Sequence, residues 1–217
     1  MLDHIPNRVI SLKSRTDRQE RLRANWTKVG MPTPIFIDGV RPDRSSILLD
    51  EVCEMEAYGS AENLRGNYAL GAVGCKRAGI KALEWFLGTE HEQALICQDD
   101  CHWVDDAAVK VDAAMANLPK KWDVLYFSAH DRTPTTPVND YWRQLTGARL
   151  CTAILWTRQA AEKLLPALQV SGREWDFFME TQHPNILAFR MVDMPAYQNP
   201  DISDIAGHFV KPSNKAL

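Results

Sequence analysis

Short apolar runs alternate along this chain with longer stretches whose apolar residues recur at helical spacing. Val9-Ile10-Ser11-Leu12, Pro34-Ile35-Phe36-Ile37, Gln93–Cys97, Asp123–Phe127, Arg149–Trp156 and Leu187–Val192 read as strands. Asp17–Val29, Gly71–Phe86, Val104–Leu118, Arg158–Leu168 and Glu174–Thr181 read as helices. The opening is strand, helix, strand, with Thr16 or Ser14 as the helix cap and Gly30 as its stop. Such alternation demands a sheet covered by helices, an α/β layer structure. Residues 41–67 break the pattern. Pro42, Ser45-Ser46, Gly59-Ser60 and Gly66 punctuate a connection with room for one short helix near Ile47–Ala57.

The strand at 93–97 runs through Gln98 into Asp99-Asp100. Open α/β sheets place ligands at the carboxyl ends of their strands. Two carboxylates there are hard oxygen ligands for a divalent cation that holds a phosphate. Without a ligand, the same pair reads as a solvated turn or a helix cap. Arg15 and Arg18 follow the first strand, where a phosphate or ribose fits, or else they are surface charges of a helix. Asp38-Gly39 closes the second strand as a turn. Gly71, Gly74 and Gly79 weaken the helix that holds them, which implies close packing or a nearby ligand.

Composition narrows the function classes. The 217 residues carry a formal net charge of −3 and include seven tryptophans, enough for a sizeable core. No global positive charge calls for nucleic acid or an anionic membrane. Five scattered cysteines do not form a secreted disulfide framework, and Cys97, Cys101 and His102 lack a second ligand pair at zinc-finger spacing. No basic start precedes an apolar leader and no run is long enough to span a membrane, so a reducing, cytoplasmic setting is expected.

Sugar transfer from a nucleotide needs positive charge on the leaving diphosphate, a nucleotide pocket, and a base for the acceptor hydroxyl. Asp99 and Asp100 suit the cation and Arg15 the nucleotide. Asp176, Glu174, Glu180 or His183 suit the acceptor side.

The ordered motifs resemble glycosyltransferase family 25, the lipopolysaccharide-type glycosyltransferases related to collagen galactosyltransferases. The similar segments are Val9–Arg18, Phe36-Ile37-Asp38-Gly39-Val40, Gly71-Ala72-Val73-Gly74-Cys75, Gln98-Asp99-Asp100, Cys151–Leu165, Trp175-Asp176, and Gln198 through Ser203-Asp204-Ile205. The resemblance implies a nucleotide-diphospho-sugar transferase (GT-A, Rossmann-like) fold with a mostly parallel mixed central sheet. It implies one domain over 1–217, with a donor half to about 130 and an acceptor half beyond. It also implies an inverting transfer of hexose from UDP-galactose or UDP-glucose, with Mn2+ or Mg2+ as cofactor. Asp100 and Asp99 become metal ligands, with His208 as a late third. Leu12, Arg15, Asp38, Gly71, Gly74 and Asp99 are expected to line the nucleotide-sugar site, and by position Asp176 is the implied acceptor base, with Glu180 a second candidate from the reading of the residues themselves. The implied acceptor is a glycan, with a hydroxylated base of DNA as a second choice. Two departures stand out: Ala78-Gly79 where the family has Ser-His, and Gln98 where it has Glu. They support one rival, a sugar-nucleotide-binding module without transfer activity; a second rival is a metal-dependent phosphohydrolase that uses Asp99 as nucleophile or metal ligand.

Overall fold

A computed structural model describes residues 2–54, 67–202 and 209–210. In chain order, β1 (Asn7–Ser11) leads into α1 (Thr16–Lys28) and β2 (Phe36–Asp38). Next come α2 (Asn67–Leu87), β3 (Gln93–Gln98), β4 (Cys101–Trp103) and α3 (Ala107–Met115). They are followed by β5 (Val124–Asp131), β6 (Thr136–Pro137), β7 (Trp142–Gln144), β8 (Ala148–Thr157) and α4 (Arg158–Val170). The last elements are α5 (Trp175–Gln182), β9 (Ala188–Met191), β10 (Ala196–Gln198), β11 (Asp201–Ile202) and β12 (Phe209–Val210).

Eight strands form the central sheet, in the order β2-β1-β3-β8-β5-β9-β7-β6. β1 pairs in parallel with β2 and β3, and β5 with β9. β8 runs antiparallel between β3 and β5, and β7 is reversed at the far side. The sheet is therefore mixed, with helices on both faces, as the strand–helix alternation requires.

Strand alternation sorts the core into two layers. Val9, Leu95, Leu125 and Leu155 face α1 and α3 through Leu22, Trp26 and Val111. Ile10, Ile96, Tyr126 and Ile154 face α2, α4 and α5 through Leu83, Leu164 and Phe178. Gly30 ends α1 at φ +71, a left-handed conformation that glycine adopts without strain. Arg15, not Ser14 or Thr16, sits at the helix cap and makes no side-chain cap bond.

Several elements depart from the sequence reading. The 104–118 helix is shorter, running only over Ala107–Met115, and residues 101–103 before it form β4, which pairs with β10 in a separate ribbon. Asn25 of α1 clamps that ribbon, donating to the Trp103 carbonyl and accepting from the Trp103 N–H, both at 2.9 Å. β5 continues to Asp131, past the Phe127 end of the expected strand, and β7 was not anticipated. The expected helix at 47–57 is a 3-10 turn at Leu49–Glu51, preceded by another at Arg44–Ser46; residues 55–57 lie outside the described residues.

Candidate functional site

The strand order fixes where a ligand can enter. From β1 the chain passes through α1 to β2 on one side, then through α2 to β3 on the other. The two connections diverge at the carboxyl ends of β1 and β3, the crevice in which open α/β sheets bind ligands. Ser11 ends β1 there. Asp99 follows β3, its N–H donating to the Ile10 carbonyl at 3.1 Å.

Asp99 is buried, and both of its oxygens are engaged. Ser11 Oγ donates to Oδ2 at 2.8 Å, and Arg18 Nη1 donates to Oδ1 at 3.0 Å. Arg18 is itself buried. Burial pushes the Asp99 carboxyl up, and Arg18 and Ser11 pull against it. Gln19 extends the network, donating to Ser11 Oγ and the Leu12 carbonyl at 3.2 Å each.

Asp100 turns the other way. Gln198, at the end of β10, donates to Oδ2 at 2.9 Å, while the buried Oδ1 has no hydrogen-bond partner among the described residues. Burial and the adjacent Asp99 push this carboxyl up to about 6, against the pull of Gln198. One acid of the pair is thus closed by the fold and the other keeps an oxygen to offer.

Gln198, the hydrogen-bond partner of Asp100, also lines a cavity of about 120 Å³; Asp100 itself is not part of its lining. α2 contributes Ala72 and Cys75, β3 Gln98, β8 Leu150 and Cys151, and β10 Gln198. Glu174, Trp175 and Asp176 line it from the start of α5. At ~10–15 Å³ per water, the space is on the scale of a sugar ring rather than a whole nucleotide. Gln98 Nε2 donates to Cys75 Sγ at 3.3 Å, and burial pushes that thiol up to about 12, so it stays protonated.

A bulge shapes this wall. Between the pairs Ser128–Ala153 and His130–Arg149, β8 has three residues where β5 has one. Leu150, at φ +77, is the one non-glycine residue with positive φ among those described, and it lines the cavity. Strained backbone of this kind persists only where its surroundings hold it, and it concentrates at functional sites.

Asp176 reaches the cavity from the first turn of α5, its Oδ1 accepting from the Phe177 N–H at 3.0 Å. Burial raises its pKa and Arg149 opposes the rise. Glu180 does not line the cavity: its Oε2 accepts from Arg149 Nε at 2.6 Å, and the Arg149 guanidinium stacks 3.5 Å over Phe177. His183 sits beneath, accepting from the Ala148 N–H at Nδ1 (3.1 Å), with Nε2 2.9 Å from the Tyr126 hydroxyl. Burial pulls it down to about 4, so it is a neutral core residue.

The other expected site residues are spread around the crevice. Arg15 donates two hydrogen bonds to Asp17, and Arg18 donates to Asp99 of the acidic pair. Asp38 pairs with Lys13 at 2.9 Å on the surface, and Leu12 abuts Gly39. Gly71 lies in the first turns of α2. Gly74 has a packing reason: an added methyl would overlap the Val40 carbonyl oxygen. His208 and Ser203-Asp204-Ile205 lie outside the described residues. Gln198, Leu150 and Trp175 emerge as site residues that sequence reading passed over or named only within a motif. The Gln98-Asp99-Asp100 run and the Glu174 and Asp176 carboxylates were the local signals that pointed here.

Among the described residues no group of three or more His, Cys, Asp or Glu side chains gathers to hold a metal, and no helix is long and apolar enough to cross a membrane. No protein-family model and no curated protein matches this chain.

Proposed function

We propose that this chain is an inverting, cation-dependent glycosyltransferase with a GT-A-like, nucleotide-diphospho-sugar transferase fold. The donor is a nucleotide sugar, with UDP-galactose or UDP-glucose as first candidates. The observation that carries the reading is the split pair at the β1/β3 switch point: Asp99 locked by Arg18 and Ser11, and Asp100 with one buried oxygen that has no hydrogen-bond partner among the described residues and the other tied through Gln198 to a cavity that also receives Asp176.

The donor set suits Mn2+ or Mg2+. Asp100 supplies one hard oxygen, and such ions are commonly held by one or two carboxylates, completed by phosphate oxygens and water. Asp99 stands behind it as support, its oxygens already engaged. When bound, the cation offsets negative charge on the departing diphosphate. The protein's own share is positional. Asp176 takes the proton of the acceptor hydroxyl at its carboxylate, and its burial makes it a stronger base than a solvated aspartate.

A glycan acceptor is favoured over nucleic acid. Several basic side chains at α1 already have partners within the protein: Arg18 on Asp99, Arg15 on Asp17, Lys28 on Asp105, and Arg23 over the Phe36 ring. A phosphohydrolase with Asp99 as nucleophile is disfavoured because both Asp99 oxygens are bound.

The test is UDP release from UDP-glucose and UDP-galactose with Mn2+, into water and onto a panel of saccharides. Turnover is expected, and Asp176→Asn should cut it by ~10²-fold or more while donor affinity holds. Donor binding without any turnover would replace the enzyme with a sugar-nucleotide-binding module.

A further inference from the structure

We infer that Trp175 is the sugar-recognising residue of the cavity: its indole N–H donates to a hydroxyl of the bound sugar while its ring forms part of the wall. This deepens, and rests on, the glycosyltransferase reading. Trp175 is 1% exposed and lines the cavity, yet its Nε1–H has no acceptor among the described residues. A buried tryptophan N–H ordinarily finds a partner, and an unspent donor asks for a cause. Trp26, Trp103 and Trp156 also carry unspent N–H groups, but none of them lines the cavity. At Trp175 a ligand can supply the missing acceptor.

The seat of this ring is built into α2. A methyl group at Gly79 would lie 2.7–2.9 Å from Cδ2, Cε3 and Cε2 of Trp175, closer than packing allows. Gly79 thus has a physical role: it lets the indole lie against the helix and brings the start of α5, with Asp176, up to the cavity. It is also one of the three positions, with Ala78 and Gln98, where the chain departs from the family it resembles. The surrounding chemistry suits a polyhydroxylated ring. Asp176 accepts hydrogen bonds, the Gln98 and Gln198 amides both donate and accept, and Leu150 with the indole offers an apolar surface to C–H groups.

The experiment compares wild type with Trp175→Phe, which keeps an aromatic ring and removes the N–H. Calorimetric titrations use UDP-glucose, UDP-galactose, UDP alone with Mn2+, and free glucose and galactose. Trp175→Phe should weaken the preferred UDP-sugar by roughly three- to tenfold, the effect of one hydrogen bond, and leave UDP unchanged. Gly79→Ala, which retains the N–H but unseats the ring, should weaken the same sugar. A thermal melt of each variant, expected near wild type for Trp175→Phe, separates a lost contact from a lost fold. Unchanged UDP-sugar affinity, or equal losses for UDP-sugar and UDP, would overturn the assignment. If wild type binds a free sugar in a Trp175-dependent way but no UDP compound, the glycosyltransferase reading fails and the sugar subsite stands. If wild type binds neither UDP-sugars nor free sugars, the subsite itself is refuted.

Discussion

The two walls of the crevice are built on opposite terms. On the β1–α1 wall, Asp99, Arg18, Ser11 and Gln19 satisfy one another in a buried network. On the β8–α5 wall the backbone is bulged, Leu150 is held at positive φ, and Trp175 Nε1 is buried without a hydrogen-bond partner among the described residues. Buried polar groups are expensive unless paired, so the first wall is a rigid support and the second holds polar capacity in reserve for a ligand. Asp100 stands on the seam, one oxygen tied to Gln198 and the other open.

This contrast is breakable. Arg18→Ala should have the largest effect on stability, about 3–5 kcal/mol, because it leaves the Asp99 charge buried without its partner. Urea denaturation measures it, and a loss below ~1 kcal/mol would mean that the first wall is not the support described. On the second wall, Asp176→Asn should instead cost turnover with little change in the denaturation midpoint.

A smaller effect is expected at His183, beneath the second wall. Its pKa is held near 4 by burial, below the ordinary value of 6.5. The unfolded chain therefore takes up a proton first as pH falls. The stability from the neutral ring is complete above about 6.5 and drains away between there and about 4, on the order of 3 kcal/mol in all. His183→Gln should flatten that part of the stability profile against pH. An unchanged acid limb would show that the ring is not buried neutral.

Much of the scaffold was legible from period alone. The β1, β3, β5, β8 and β9 runs and the α1, α2, α4 and α5 helices follow apolar spacing, because each buries a defined face in one of two core layers. The ribbon of β4 and β10 was not legible. Cys101-His102-Trp103 is too short to show a period, and its anchor, Asn25, is remote in sequence. The site was half visible. An acidic pair at a strand end marked the place, but nothing local distinguishes Asp99 from Asp100. The difference comes from Arg18, 81 residues away, and from Gln198, 98 residues away. Likewise, the reason for Gly79 is a tryptophan on another helix.

The central claim is that Asp100 holds a cation which in turn holds a diphosphate. Titration of UDP into wild type and Asp100→Ala, with and without Mn2+, tests it most directly. The account predicts binding that requires Mn2+, strengthens as pH rises through about 6 while Asp100 gives up its proton, and disappears in Asp100→Ala. UDP affinity that is the same in both proteins, or indifferent to Mn2+, would contradict it.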